Sequence, residues 1–141
     1  MINIEKVNYG PEYKGTHIES RDGCINILDS IINFKKNNKH TDNNTSTCCD
    51  IDEQVLYYAR VLCADILVIY PHDIYITKDK SISLEYYNDN GFLNIEIKPN
   101  DEILITSKNN EDCFTKILKY KDMNQINNLV MEFTLPRKED S

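Results

Sequence analysis

The chain of 141 residues has no tryptophan, only four glycines and four prolines, and no apolar run of the roughly 18 residues that cross a bilayer. The scattered glycines form neither a Gly-x-Gly-x-x-Gly motif nor a phosphate-binding loop, and Gly-x-Ser-x-Gly and His-Glu-x-x-His are also missing. The first residues lack the apolar segment of a secretory signal. These absences disfavour the common nucleotide-binding, hydrolase and metalloprotease chemistries, and they predict a cytoplasmic protein without membrane contact.

The cysteine pattern argues against both disulfides and metal. Five cysteines are an odd number, and none forms a Cys-x-x-Cys spacing. The pair Cys48-Cys49 and the nearby His40 match no metal-site spacing. We therefore predict reduced thiols, no metal and no cofactor. The remaining three cysteines fall in apolar periodic segments and are expected as small core residues: Cys24, Cys63 and Cys113.

The charge balance is acidic. Lys and Arg total 16 and Asp and Glu total 23, so the formal net charge is −7. An acidic chain repels the phosphate backbone, which disfavours direct nucleic-acid binding, and it favours association with a protein that has a basic surface. The apolar content of 40% and the length predict one globular domain over residues 1–141.

The first part of the chain predicts an irregular arm followed by a helix. Gly and Pro residues interrupt positions 1–20. From Asp22 to Lys36 the apolar residues recur at steps of three and four, which places them on one helical face. Ser20 or Asp22 is the expected N-cap.

A polar stretch separates this helix from the next. Residues 37–49 are almost wholly polar, so we expect a mobile linker. The second helix is expected to begin at Asp50, because Glu53 three positions later completes a capping box. Pro71 ends the helical segment.

Beyond residue 71 the apolar period changes from 3.6 to 2, which indicates strands. Their short connections require antiparallel neighbours, and the Asn90-Gly91 step supplies residues that tolerate positive φ. A final helix is expected from Asp122, with Gln125 three positions later. The fold class is therefore α+β, an antiparallel β-meander of four or five strands with two N-terminal helices and one C-terminal helix packed on one face. The strand cores are Ile74–Ile76, Ile82–Tyr86, Leu93–Ile97, Ile103–Ile105 and, as a possible fifth, Cys113–Tyr120.

Part of this region resembles a pattern seen in small uncharacterised bacterial and phage-type proteins. The segment PHDIYITKDKSISLEY at 71–86, followed by LNIEIKPND at 93–101, is similar to their helix–Pro–β-meander form P-x-I-x-x-T-x-D-x-x-I-x-L-E-W and L-x-I-E-I-x-x-D. Lys80 and Tyr86 stand where that pattern has Gly and Trp. The resemblance implies a fold element and a prokaryotic or viral origin, without a reaction.

Alternation also predicts which strand residues face away from the core. Tyrosines and carboxylates alternate on that outward face, and such groups combine contact area with selectivity for basic partners. The favoured function is therefore a non-enzymatic protein-binding module, such as an inhibitor, antitoxin, immunity protein or small defence-complex subunit; an ordinary solvated sheet face and self-association through a sheet edge remain open. The predicted partner surface comprises Tyr75, Glu85, Tyr87, Phe92, Glu96 and Glu102.

The alternative is a metal-dependent nuclease. Asp73 together with Glu96 and Lys98 loosely matches an arrangement in which two carboxylates hold a metal ion and a lysine stabilises the attacked phosphate. A nucleophilic pair of Cys113 with His72 also stays open, since spatial proximity is not readable from sequence.

Overall fold

Three α-helices and a five-stranded sheet form the part of the chain that the computed structural model describes, residues 18–37, 51–110 and 112–135. The expected arm and linker lie almost wholly outside these residues, as do His40, Cys48 and Cys49. Within the same ranges, no helix is long and apolar enough to span a membrane. In chain order the elements are α1 (Arg21–Asn37), α2 (Glu53–Val61) continued by a π-helical turn (Leu62–Ile66), β1 (Asp73–Ile76), β2 (Ile82–Asn88), β3 (Gly91–Lys98), β4 (Glu102–Asn109), β5 (Asp112–Leu118), a 3₁₀ turn (Tyr120–Asp122) and α3 (Asn124–Thr134).

The strands pair in chain order, β1-β2-β3-β4-β5, and every neighbouring pair is antiparallel. The short connections leave no room for a parallel crossover, which needs a dozen or more residues. The predicted α+β fold with a β-meander is confirmed, and the possible fifth strand is present.

The apolar strand residues point to one side of the sheet, which we call the apolar face. Ile74, Leu84, Ile95 and Ile105 form one row across four strands, and all four are fully buried. They belong to a single core cluster with residues from all three helices. Burying each such side chain stabilises the fold by about 2 kcal/mol. That all three helices cover this one face stays a prediction.

The first helix begins as expected, whereas the second does not. The Ser20 hydroxyl caps α1, because its oxygen accepts a hydrogen bond from the Gly23 N–H at 2.9 Å. The prediction of Asp50 as the cap of α2 is wrong, since the cap is Asp52, which accepts from the Gln54 N–H at 2.9 Å. Glu53, expected at the third helical position of a capping box, is instead the first residue of the helix.

The ends of the second and third helices also differ from the sequence-based prediction. Helical structure after α2 stops at Ile66 rather than continuing to Pro71. Asp122 does not cap α3 but lies in the preceding 3₁₀ turn, where its carboxylate accepts from the Lys119 N–H at 3.3 Å. The α3 helix therefore starts at Asn124.

Arg21 links α1 to the end of this helical segment. Its guanidinium donates to the carbonyl oxygens of Cys63 at 2.9 Å, Leu67 at 2.7 Å and Val68 at 2.9 Å. Carbonyls at the C-terminal end of a helix have no partners within the helix, and a cation interacts favourably with the helix dipole there. Arg21 thus fixes the position of the segment that leads into β1.

The glycine at the β2–β3 turn is required for a different reason from the one expected. Neither Asn90 nor Gly91 has a left-handed φ, so that prediction is wrong. The Asn88 side chain instead accepts from the N–H groups of Asn90 at 2.7 Å and Gly91 at 2.9 Å. A Cβ on Gly91 would lie 1.7 Å from the Lys108 carbonyl oxygen, so β3 and β4 approach too closely for any side chain.

Candidate functional site

The face opposite the apolar one, which we call the polar face, brings the predicted site residues together. Side chains alternate along each strand, so cross-strand partners share a face. The register places all six predicted site residues on the polar face, in rows that run across the sheet. The relevant partners are Asp73–Glu85, Tyr75–Ser83, Ser83–Glu96, Glu85–Asn94, Tyr87–Phe92 and Lys98–Glu102.

The expectation that this face is open to solvent is wrong at its centre. Tyr75 is only 5% exposed and Glu96 only 8% exposed. Tyr87, in contrast, is 46% exposed. The alternation thus assigned the face correctly, but it overestimated solvent contact along the inner rows. The remaining predicted site residues have intermediate exposure: Glu85, Phe92 and Glu102.

Glu85 is the centre of a hydrogen-bond network. Its two carboxylate oxygens accept from the hydroxyl groups of Tyr75 and Tyr87, and the Asn94 amide donates to it at 3.3 Å and to Ser83 at 2.6 Å. Burial, followed by the hydrogen bond and charge of Glu85, raises the pKa of both tyrosines. Buried polar groups are tolerated when they are hydrogen-bonded, so this network offsets the cost of burying the polar groups at the centre of the face.

Glu96 forms a second, adjoining network. It accepts from the hydroxyl of Ser81, which is also 2.6 Å from the Thr77 hydroxyl, and it lies 3.8 Å from the Lys98 ammonium. Asp73 does not join this group, because it is two strands and two register positions away from Glu96. Their Cα atoms are therefore separated by roughly 12 Å. The three residues of the nuclease alternative are not brought together, and the described residues contain no cluster of three or more His, Cys, Asp or Glu arranged to hold a metal ion.

The Cys113–His72 pair is also not formed. His72 precedes β1 and Cys113 lies on β5, so they occupy opposite edges of the sheet. His72 Nδ1 accepts from the Tyr87 N–H at 2.9 Å, and its ring stacks on that tyrosine with 5.9 Å between centroids. The expectation of a core position is confirmed for Cys24 and Cys63 and wrong for Cys113, which is exposed on the edge strand.

The most exposed residue of the predicted site, Tyr87, lies at one end of the sheet, which we call the hairpin end. It comprises the β2–β3 and β4–β5 turns and the C-terminal end of α3. Tyr87 and Phe92 are cross-strand partners next to the β2–β3 turn. At the same end of the sheet an open cleft of about 1010 Å³ is lined by three exposed carboxylates, those of Asp89, Asp112 and Glu132. The rest of the cleft wall is Asn88, Asn90, Asn109, Met131, Phe133, Thr134 and Leu135.

Sequence reasoning missed the three cleft carboxylates. They come from a turn, the first residue of β5 and a helix, so no spacing in the sequence connects them. The only signal was that short turns in a meander place alternate hairpins at the same end of the sheet.

Comparison with known proteins adds no relative. No protein-family model matches the chain, and no curated protein or solved structure matches it. A functional proposal therefore depends on the residues described above.

Proposed function

We propose that the protein is a non-enzymatic binding module that engages a basic protein in the cytoplasm, in the manner of an inhibitor, antitoxin, immunity protein or small subunit of a defence complex. The observation that supports this proposal is the hairpin end, where the exposed Tyr87 and the partly exposed Phe92 lie at the same end of the sheet as a cleft with three carboxylates. Exposed aromatic residues are frequent anchors of protein interfaces.

Charge supports a basic partner. The cleft carboxylates of Asp89, Asp112 and Glu132 suit the lysine or arginine side chains of a partner, and the net charge of −7 accelerates encounter with a positive surface. Both effects weaken with added salt, because the exposed charges are screened.

The centre of the polar face is the less favourable contact surface. Glu85 and Glu96 already accept hydrogen bonds within the protein. A partner that recruited either carboxylate would have to break these bonds, which costs free energy. Of the binding surface proposed from the sequence we therefore keep only the exposed end, Tyr87 and Phe92. We add the cleft carboxylates to it.

Affinity capture with the immobilised full-length protein tests the proposal. Wild type should retain a basic protein from a lysate of its source cells at low salt and release it at high salt. The double variant Asp89→Asn/Glu132→Gln should reduce capture at least about tenfold through lost charge, and Tyr87→Ala by a similar factor through the lost anchor.

The matched control is Glu102→Gln, which removes a carboxylate at the other end of the sheet, opposite Lys98. Its capture should equal that of wild type, and circular dichroism should show all variants folded. Equal capture by the cleft variants and wild type would contradict the assignment of the hairpin end. A purified protein that cleaves nucleic acid in a Glu96-dependent manner would contradict the binding function itself.

A further inference from the structure

The outer strand β5 is exposed in an unusual way for a strand of seven residues. Every residue from Asp112 to Ile117 is exposed, so neither face of the strand is covered along that length. Ile117 is 58% exposed and Phe114 is 40% exposed. Within the described ranges β5 pairs with β4 alone. A long exposed edge of this kind, with two large apolar side chains, is a template for another strand.

The hydrogen bonds show which backbone groups of β5 point outward. The Asn110 N–H donates to the Asn90 carbonyl at 2.8 Å, beside the register pair Gly91–Asn109. In an antiparallel ladder this pattern directs the backbone groups of Asn109 away from β3 and towards β5. The backbone N–H and C=O groups of Asp112, the partner of Asn109 on β5, therefore point back to β4.

Backbone direction alternates along a strand. Starting from Asp112, which points to β4, the N–H and C=O groups of Cys113, Thr115 and Ile117 point to the outer edge. These three residues present a ladder of donors and acceptors at the spacing that an antiparallel strand requires.

We propose that β5 pairs with β5 of a second copy of this chain, antiparallel and about a two-fold axis at Thr115. A two-fold interface requires a patch that is complementary to itself. In this register Thr115 faces Thr115 of the second copy, and Cys113 faces Ile117 in both directions. Each of these pairs exchanges two hydrogen bonds, so about six join the chains and the two sheets become one of ten strands.

The side chains fit the same register. The exposed Ile117 gains an apolar neighbour in Cys113, and Phe114 lies opposite Lys116, whose aliphatic stem and ammonium both favour an aromatic ring. Asp112 is diagonal to Lys116 of the second copy, so opposite charges approach each other twice. Neither residue has a charged cross-strand partner within its own chain, where Asp112 lies opposite Asn109 and Lys116 opposite Ile105. The alternative register has its two-fold axis at Phe114. It would pair fewer of the outward backbone N–H and C=O groups, and it would place Ile117 opposite the β4–β5 turn of the second copy.

Sedimentation equilibrium of the full-length protein tests the pairing. Wild type should show a concentration-dependent mass that approaches twice that of one chain. Thr115→Pro removes an outward N–H without breaking the β4 ladder, because proline is tolerated at an edge strand, and it should raise the dimer Kd about 100-fold. Thr115→Val keeps the backbone donor and is the matched control, with a Kd close to that of wild type.

Two further measurements distinguish this register from unspecific association. Lys116→Glu should raise the Kd about fivefold, and Asp112→Lys/Lys116→Glu should restore it. Amide hydrogen exchange should show protection of Cys113, Thr115 and Ile117 that rises with protein concentration. A wild-type protein that stays monomeric at millimolar concentration, or a dimer that Thr115→Pro leaves intact, would overturn the proposal. Because the readout is self-association, its failure is distinguishable from failure of the basic-partner proposal.

Discussion

At the scale of single residues, Gly91 permits the closest backbone approach recorded for a glycine of the described chain. It faces Asn109 across the β3–β4 ladder, and the space for its Cβ is filled by the Lys108 carbonyl. Gly23, in the first turn of α1, is less crowded, because the nearest atom to its Cβ would be a side-chain oxygen, that of Ser20, and not the backbone of a neighbouring strand.

Replacement of these two glycines should have opposite effects. Gly91→Ala must push β3 and β4 apart and should lower the free energy of unfolding by about 3 kcal/mol. Gly23→Ala places its Cβ 3.3 Å from the Ser20 hydroxyl oxygen and gains helix propensity, so it should be close to neutral or stabilise by up to about 1 kcal/mol. Urea unfolding of both variants checks this, and equal stabilities would contradict the role assigned to Gly91.

The residue scale also shows what the sequence can predict about the candidate site. The period of two assigns Tyr75, Glu85 and Glu96 to one face, because alternation is a property of any strand. It does not report burial, which depends on whether side chains find hydrogen-bond partners on neighbouring strands. Glu96 finds Ser81, fifteen residues earlier, and no local pattern indicates that contact.

At the scale of elements, the segment between α2 and β1 depends on Arg21. Three carbonyl oxygens converge on one guanidinium, a planar group with five donors. A lysine ammonium is a point charge on a flexible stem and cannot serve all three acceptors with the same geometry.

Substitution of this arginine should therefore be costly even when its charge is kept. Arg21→Lys should lower the free energy of unfolding by about 2 kcal/mol, and Arg21→Ala by about 3 kcal/mol, because the part-buried carbonyls of Cys63 and Leu67 lose their donor. The control is Asp29→Asn in the half-exposed Arg60–Asp29 ion pair, which links the same two helices at 2.8 Å. Its effect in thermal unfolding should be much smaller, since exposed ion pairs contribute little. A comparable loss in the control would refute the role of Arg21.

At this scale the sequence predicted the presence of helices and strands well, but it predicted where the helices begin and end less well. Long periodic segments predicted all three helices and the first four strands, because burial of an apolar face determines them, whereas the exposed fifth strand was predicted only as an option. The predicted boundaries were wrong where two neighbouring residues are equally suitable caps: the sequence does not distinguish Asp50 from Asp52, and the cap is Asp52.

At the scale of the whole molecule, several tyrosines are buried with their hydroxyl groups protonated. Burial raises the pKa of Tyr86, whose hydroxyl donates to the Ile69 carbonyl at 2.7 Å, and burial together with nearby carboxylates raises the pKa of Tyr120 to about 12. The folded pKa values lie above the ordinary value of 10.0. The unfolded chain therefore loses these protons first as the pH rises.

The resulting pH dependence has a definite sign. The stability that these tyrosines contribute is fully present below about pH 10 and is lost progressively above it, as pH rises towards the folded pKa values. Between about pH 10.5 and pH 12 the free energy of unfolding should fall less steeply with pH in Tyr86→Phe than in wild type, by about 1.4 kcal/mol per pH unit. Urea unfolding across this range measures the slope, with Tyr57→Phe at an exposed position of α2 as the control. An unaltered slope in Tyr86→Phe would show that this hydroxyl does not couple folding to pH.

The strictly sequential order of the five strands has a kinetic consequence. Each strand forms its ladder with the segment synthesised immediately before or after it, and the loops that close are short. Little chain entropy is lost before each hairpin gains contacts, so the sheet can assemble by successive local steps. We therefore expect the sheet to form faster than one of equal size built from strands distant in the chain.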